Sequence, residues 1–450
     1  MQHPFESSSP EGGHIGDHLR QTLFTLQRAR TVRQRGRVVQ AFGTMLRVSG
    51  VQARIGQQCH LVDPDTGATF SAEVVGFADG HTLLVPLAPL HGLALNAEVE
   101  VLAQGSTVLF GDGLKGRVLD SFGQPLDGRP LPAELLPQPL YAESPNALSR
   151  PPIGEAFATG VRAIDGLLTV GVGQRLGVFA AAGGGKSTLL GMLARQARAD
   201  VTVIALIGER GREVREFIDD SLGEGGMAKS VLVVSTSDRP AMERVRAAHT
   251  ATAIAEGFRA QGANVLLLMD SVTRYARALR EIGLSIGEPP VRRGFPPSVF
   301  AEMPRLFERV GNDGVGSITA FYTVLLEDED SADPVAEEVR SILDGHLVLS
   351  RQLGQANHYP AIDVLASVSR TFTRVAAPSH RRAAGHVRAL MAKHAEIKFL
   401  LQVGEYRAGS DAVADEAIAK LPAIHQLLRQ PADEASPFDA TLEQLGALAA

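Results

Sequence analysis

The stretch VFAAAGGGKSTLL, Val178 to Leu190, runs from apolar residues into three glycines, a lysine and two hydroxyl residues. Gly183, Gly184 and Gly185 let a chain turn with its amides facing inward, and a helix opening at Lys186 aims the positive end of its dipole at the same point. Together these features cradle phosphate oxygens. Lys186 is placed to reach the β- and γ-phosphates of a nucleoside triphosphate, Ser187 to offer its hydroxyl to Mg2+, and Thr188 to follow it at the phosphate. The strict pattern wants glycine six residues before the lysine, where this chain has Ala180. A glycine-rich strand-to-helix turn without a ligand is the plain alternative.

Two acids stand at the ends of other apolar runs. Asp270 closes NVLLLMD, where a carboxylate can hold the waters of a phosphate-bound metal; alternatively it caps the helix SVTRYARALREIG. Glu209 lies in IGERGREVREF and is the candidate to orient or deprotonate an attacking water; its plain alternative is a pairing with Arg212 in a first helical turn.

Such groups need strands to bring them together. The runs RLGVFA, VTVIALIG, SVLVVST, NVLLLMD and SITAFYTVLL are apolar on both faces and alternate with helical stretches, which predicts a parallel sheet covered on both sides. Before them, between about Gly36 and Leu90, short alternating segments broken by Gly, Asp and Pro predict a small β-barrel. After about Ala377, HVRALMAKHAEIKFLLQVGEY and DAVADEAIAKLPAIHQLLRQ have helical period. The expected division is therefore a flexible tail and basic amphipathic helix at 1–34, a barrel at 35–94, an α/β nucleotide domain at 95–377 and a helical domain at 378–450.

Composition narrows the function. A chain of 450 residues with 44% hydrophobic content supports two or three domains, and its net charge of -6 argues against nucleic acid as the main partner. One cysteine, Cys59, leaves no intramolecular disulfide; no HExxH occurs, so no transition metal is expected. The N-terminus does not read as a signal peptide, and the apolar runs fall short of the ~18 residues needed to span a bilayer. A cytoplasmic protein is expected.

With GERGREV, DSVTRYARALREIGLSIGEPPVRRGFPPSVF, FATGVRAIDGLLTVGVGQRLGVFA, HYPAIDVLASVSR and GEYRAGSD in one order, the chain resembles the ATPases of type III secretion systems, relatives of rotary ATP synthase catalytic subunits. The resemblance implies a barrel, a RecA-like core and a helical C-terminal domain, assembled as a homo-hexamer that hydrolyses ATP with Mg2+. It implies that Lys186 and Ser187 hold phosphate and metal, that Glu209 is the catalytic carboxylate, and that Arg210 and Arg274 stand near the γ-phosphate. Glu213 and Asp270 match acids around the metal's water shell. Arg370 matches an arginine finger reaching a neighbour's site, Tyr359 an aromatic under adenine, and Tyr406 a second wall of that pocket, although either tyrosine could be core packing.

The same resemblance implies a stalk protein, a negative regulator and chaperone–substrate complexes as partners, with peripheral contact to the inner-membrane export apparatus. The loop with Arg292 and Arg293 would face the central channel. An injectisome ATPase is favoured over a flagellar export ATPase, with a non-catalytic nucleotide-binding ring subunit as a third reading. One departure concerns Ala181, where relatives usually carry glycine; a left-handed bend there would strain an alanine.

Overall fold

The computed structural model describes residues 35–102, 106–181, 183–326 and 333–450. The tail and basic helix expected at 1–34 lie outside the described residues. Six strands, β1 (Arg35–Phe42), β2 (Met45–Ser49), β3 (Gln58–Val62), β4 (Thr69–Ala78), β5 (His81–Pro86) and β6 (Glu98–Val101), close a barrel in the order β1-β2-β5-β4-β3-β6. Alternate residues point inward, so Leu46, Val48, Cys59, Leu61, Val74, Leu84 and Val99 fill it. Burial pushes the Cys59 thiol up to about 12, leaving it a small apolar filler. The barrel runs past the boundary expected at 94. The closing strand has the sequence EVEV, whose glutamates flank inward valines, and it pairs with β1 through Arg37 and Glu98.

The core sheet contains, among the described residues, eight strands. They are β7 (Arg117–Leu119), β8 (Arg175–Ala181), β9 (Val201–Glu209), β10 (Ser230–Thr236), β11 (Asn264–Asp270), β12 (Ser317–Leu326), β13 (Gly345–Leu349) and β14 (Ile362–Ser369), in the order β14-β13-β8-β12-β11-β9-β10-β7. All neighbours are parallel except β13 and β14. The central strands are mostly apolar because helices cover both faces, with Val203, Ala205 and Ile207 in one core and Ile204 and Leu206 in the other. The fold is thus a RecA-like α/β domain behind a barrel, with a helical domain after it, as expected.

Helix α1 (Lys186–Gln196) follows β8 and buries Leu189, Leu190, Met192 and Leu193 against the sheet. Full burial of such side chains contributes roughly 1.5–3 kcal/mol each, so the start of α1 is anchored from below. Helices that follow the other site strands are α2 (Gly211–Glu216) after β9, α3 (Ala241–Ala260) after β10 and α4 (Val272–Ser285) after β11. The C-terminal domain is made of α5 (Pro378–Gln402), α6 (Ala412–Leu428) and α7 (Phe438–Ala449). A buried ion pair, Glu73 with Arg246 at 3.3 Å, ties the barrel to α3, and the Tyr141 hydroxyl donates to Glu73 at 2.8 Å.

Candidate active site

The phosphate cradle sits at the C-terminal tip of β8. Gly183 and Gly185 have φ of 79° and 80°, the left-handed region in which a side chain is strained. Gly185 precedes α1, and a Cβ there would stand 3.3 Å from the Tyr359 ring. Ala180 and Ala181 belong to the extended strand, where they pair with Leu325 and Leu326, and Ala181 does not have positive φ. The strain feared at Ala181 therefore does not arise. The missing opening glycine costs nothing visible, because the Ala180 methyl is fully buried core.

Parallel strands bring the other groups to the same edge. In the sheet order β8-β12-β11-β9, the tips carrying the cradle, Asp270 and Glu209 line up along one side. The Lys186 ammonium reaches across, 2.5 Å from Asp270 Oδ1 and 3.5 Å from Glu209 Oε1. Thr323, on the intervening β12, donates to the same Asp270 oxygen at 2.8 Å. Asp270 does not cap the following helix; Ser271 does, accepting from the Arg274 backbone N–H at 3.3 Å. That first turn aims Arg274 back at Glu209, with Nε 3.2 Å from Oε1 and a second nitrogen donating to Oε2 at 3.2 Å. The crossing needs glycine at Gly208, where a Cβ would lie 2.9 Å from Arg274 Cδ. Arg212 pairs instead with Glu216, at 2.7 Å, so the alternative pairing of Glu209 with Arg212 is not formed.

Burial pushes the Glu209 carboxyl up to about 7; Lys186 opposes the rise, while Asp270 and a hydrogen bond shared with Glu213 add to it. Glu213, in the first turn of α2, is held below the usual range, first by that hydrogen bond and then by Arg210. A carboxyl poised near neutrality beside a phosphate cradle has the proton affinity suited to a general base. Glu209 Oε1 is buried without a hydrogen-bond donor among the described residues, although it has the two cations as ionic neighbours.

The donor set fits Mg2+. Ser187 is exposed at the start of α1, and one buried carboxylate, Asp270, receives Lys186 and Thr323 on Oδ1. A single hydroxyl with a carboxylate behind it suits an ion that keeps waters and takes phosphate oxygens. Among the described residues no group of three or more His, Cys, Asp or Glu is placed to hold a metal by itself.

The remaining expected residues divide. Thr188 is exposed next to Ser187, and Tyr359, partly exposed, packs at the cradle. Arg210 is at the surface and pairs with Glu213 at 3.3 Å. Tyr406 donates to Asp415 at 2.8 Å, within the C-terminal domain. Arg370, just past β14, is exposed and donates to the Arg340 carbonyl at 3.3 Å. Thr323 was missed; it is one of four hydroxyl residues in SITAFYTVLL, and nothing in the sequence sets it apart from Ser317, Thr319 and Tyr322.

Barrel, RecA-like sheet, glycine cradle and converging carboxylates define a P-loop nucleotide-binding protein of the ATP synthase type. Residues 160–369 match the model of the ATP synthase alpha/beta family, nucleotide-binding domain, and residues 376–447 match that of the T3SS EscN ATPase C-terminal domain. The chain is 55% identical to a type 3 secretion system ATPase of Xanthomonas euvesicatoria over 92% of its length and 93% of the relative's. It is 47% identical to a flagellum-specific ATP synthase of Bacillus subtilis over 92% of this chain and 94% of that one. The assembled ATPase EscN from the type III secretion system of enteropathogenic E. coli superposes with TM-score 0.86 at 46% identity, covering 92% of this chain and all of that one. EscN in complex with its central stalk EscO gives 0.85, at 46% identity and with the same coverage of both chains. The chain belongs to the type III secretion and flagellar export ATPase family, whose relatives include the catalytic subunits of ATP synthases.

Proposed function

We propose that this chain is a Mg2+-dependent ATPase that works as a homo-hexameric ring and energises type III protein secretion, detaching chaperones from export substrates and helping to unfold them. The observation that carries the catalytic reading is the Lys186 ammonium, 2.5 Å from Asp270 and 3.5 Å from Glu209, at the mouth of the glycine cradle. When ATP binds, Lys186 exchanges these carboxylates for phosphate oxygens, and the cradle's amides hold the rest of the chain of phosphates. Ser187, and through water Asp270 and Glu213, would hold Mg2+, which would supply neutralising charge to the phosphates. Glu209, released from Lys186 and still gripped by Arg274, accepts the proton of the attacking water, with Arg210 near the γ-phosphate. Tyr359 stacks under adenine and Tyr406 completes that wall. Arg370 of a neighbouring copy stabilises the transition-state charge.

Glu209 and Arg370 are carried by one sequence, so identical copies complete one another's sites head to tail. The division into 1–34, a barrel, a nucleotide domain and a helical domain fits a ring whose barrels form one rim and whose helical domains form the other. The solved EscN–EscO complex supports a central-stalk partner here too; a negative regulator, chaperone–substrate complexes and peripheral contact with the inner-membrane export apparatus complete the reading. Among the described residues no helix is long and apolar enough to cross a membrane. The injectisome is favoured by the 55% identity with the Xanthomonas enzyme against 47% with the flagellar relative.

Lys186→Ala tests the site: ATP turnover should fall by about a hundredfold or more with the circular-dichroism spectrum unchanged. Turnover at the wild-type rate removes the assignment. Nucleotide binding by the wild-type chain with no hydrolysis at any protein concentration would favour the non-catalytic ring subunit. Restoring motility, rather than secretion, to the corresponding deletion strain would favour the flagellar exporter.

A further inference from the structure

Gln174 stands immediately before β8, the strand that ends in the phosphate cradle, and is fully buried. Its amide oxygen accepts from the Gly171 N–H at 2.8 Å and from the Thr371 hydroxyl. Its amide nitrogen donates to the Asp344 carbonyl at 2.8 Å and to the Ser369 hydroxyl at 3.1 Å. Ser369 and Thr371 flank Arg370 on either side. The Arg370 backbone N–H itself donates at 3.0 Å to the same Asp344 carbonyl. Asp344 is in turn clasped to the first residue of β8, its carboxylate accepting from Arg175 N–H and Nε at 3.2 and 3.1 Å. The Arg370 side chain donates to the Arg340 carbonyl, while the Arg340 guanidinium stacks 4.5 Å from the Phe179 ring of β8.

A buried primary amide with two donors and an oxygen that accepts several bonds is suited to fix three chain segments at once. Leaving any of these groups unpaired in the interior costs the full desolvation of that group, so the arrangement is held tightly. The segment it fixes carries the one arginine that the proposed mechanism sends to another copy. The strand it fixes carries the nucleotide of its own copy.

We infer that Gln174 is a positioning residue for Arg370: it ties the mounting of the finger to the base of the cradle strand, so that each copy's nucleotide strand sets the aim of the cation it presents to its neighbour. The inference rests on the proposed donation of Arg370 in trans. Gln174 touches neither nucleotide nor reacting atoms, and its effect is exerted on the neighbouring site rather than its own.

Three variants test this in the full-length chain. Gln174→Leu removes the amide at similar size, Thr371→Val removes one of its partners, and Thr371→Ser restores that hydroxyl. Gln174→Leu and Thr371→Val should lower kcat at least tenfold with KM for ATP within twofold of wild type, and Thr371→Ser should recover to within threefold. Binding of a fluorescent ADP analogue should be unchanged in all three, since each chain's own cradle is intact. Mixing Gln174→Leu with Glu209→Gln should restore activity, because the Glu209→Gln copy presents a well-mounted finger to the intact site of the Gln174→Leu copy. Arg370→Ala mixed with Glu209→Gln is the control. Recovery for Arg370→Ala without recovery for Gln174→Leu overturns this inference alone. No recovery for Arg370→Ala overturns donation in trans and this inference with it. Turnover of both Gln174→Leu and Thr371→Val within twofold of wild type also overturns it, as does equal loss in Thr371→Val and Thr371→Ser.

Discussion

At Glu209 two opposing forces meet on one carboxyl group. Withdrawal from water favours the protonated form, the Lys186 and Arg274 cations favour the charged form, and withdrawal wins, leaving the group near 7. The folded pKa lies above the ordinary carboxyl value of 4.5, so the folded chain binds the proton more tightly than the unfolded one. The stability this confers is fully present below the unfolded pKa and is lost as pH rises through the folded pKa. Glu209→Gln cannot ionise and escapes that loss. In chelator and without nucleotide, its Tm should match wild type at about pH 4.5, exceed it progressively as pH rises, and level off above about pH 8. A constant difference across that range, or a gap that closes with rising pH, would show that the group is not raised in the folded chain. The same proton affinity predicts an acid limb near neutrality in kcat/KM for ATP, which reports the free chain's groups.

The loop between β8 and α1 is where glycine is indispensable, and of the two positions the simplest motif names only one, Gly185, is among those that need it. Gly183 and Gly185 take the left-handed conformation, whereas Ala180 and Ala181 are strand residues. Gly185→Ala adds a methyl 3.3 Å from Tyr359 and an α-carbon conformation that costs an alanine about 1–2 kcal/mol. It should weaken binding of a fluorescent ADP analogue about tenfold. Ala181→Gly should leave that affinity unchanged and lower stability by roughly 0.5–1 kcal/mol, as glycine does within a strand; tighter binding by Ala181→Gly would mean that the bend begins earlier. The sheet was legible because strands buried on both faces are uninterrupted apolar runs, and the acids at their ends could be read as site residues for the same reason. β7, three residues long, and β6, with charges at every second position, have too little apolar signal to be read. α7 was not foreseen, although FDATLEQLGALA buries Thr441 and Leu445. Neither Thr323 nor Gln174 announces its partners in sequence, because those partners lie 53 and up to 197 positions away and only the register of the folded sheet unites them.

Across the whole molecule, the cations split into two sets. Lys186 and Arg274 already face Glu209 within the chain, while Arg370 is exposed and has no ion pair among the described residues. A finger cation contributes roughly 10³–10⁵ to turnover where it operates, so a chain without a neighbour would keep nucleotide binding and lose most of its catalysis. Specific ATPase activity should therefore climb with protein concentration and then saturate, while nucleotide bound per chain stays level across the same dilution series. Arg370→Lys should not rescue the saturated rate, because an ammonium lacks the planar fork that matches phosphoryl oxygens. Sedimentation on the same samples should place the rise in activity at the concentration where rings form. Specific activity that is flat from nanomolar to micromolar protein, with no change in sedimentation, would mean that a single chain assembles its complete site, and Arg370 would then have to act within its own copy.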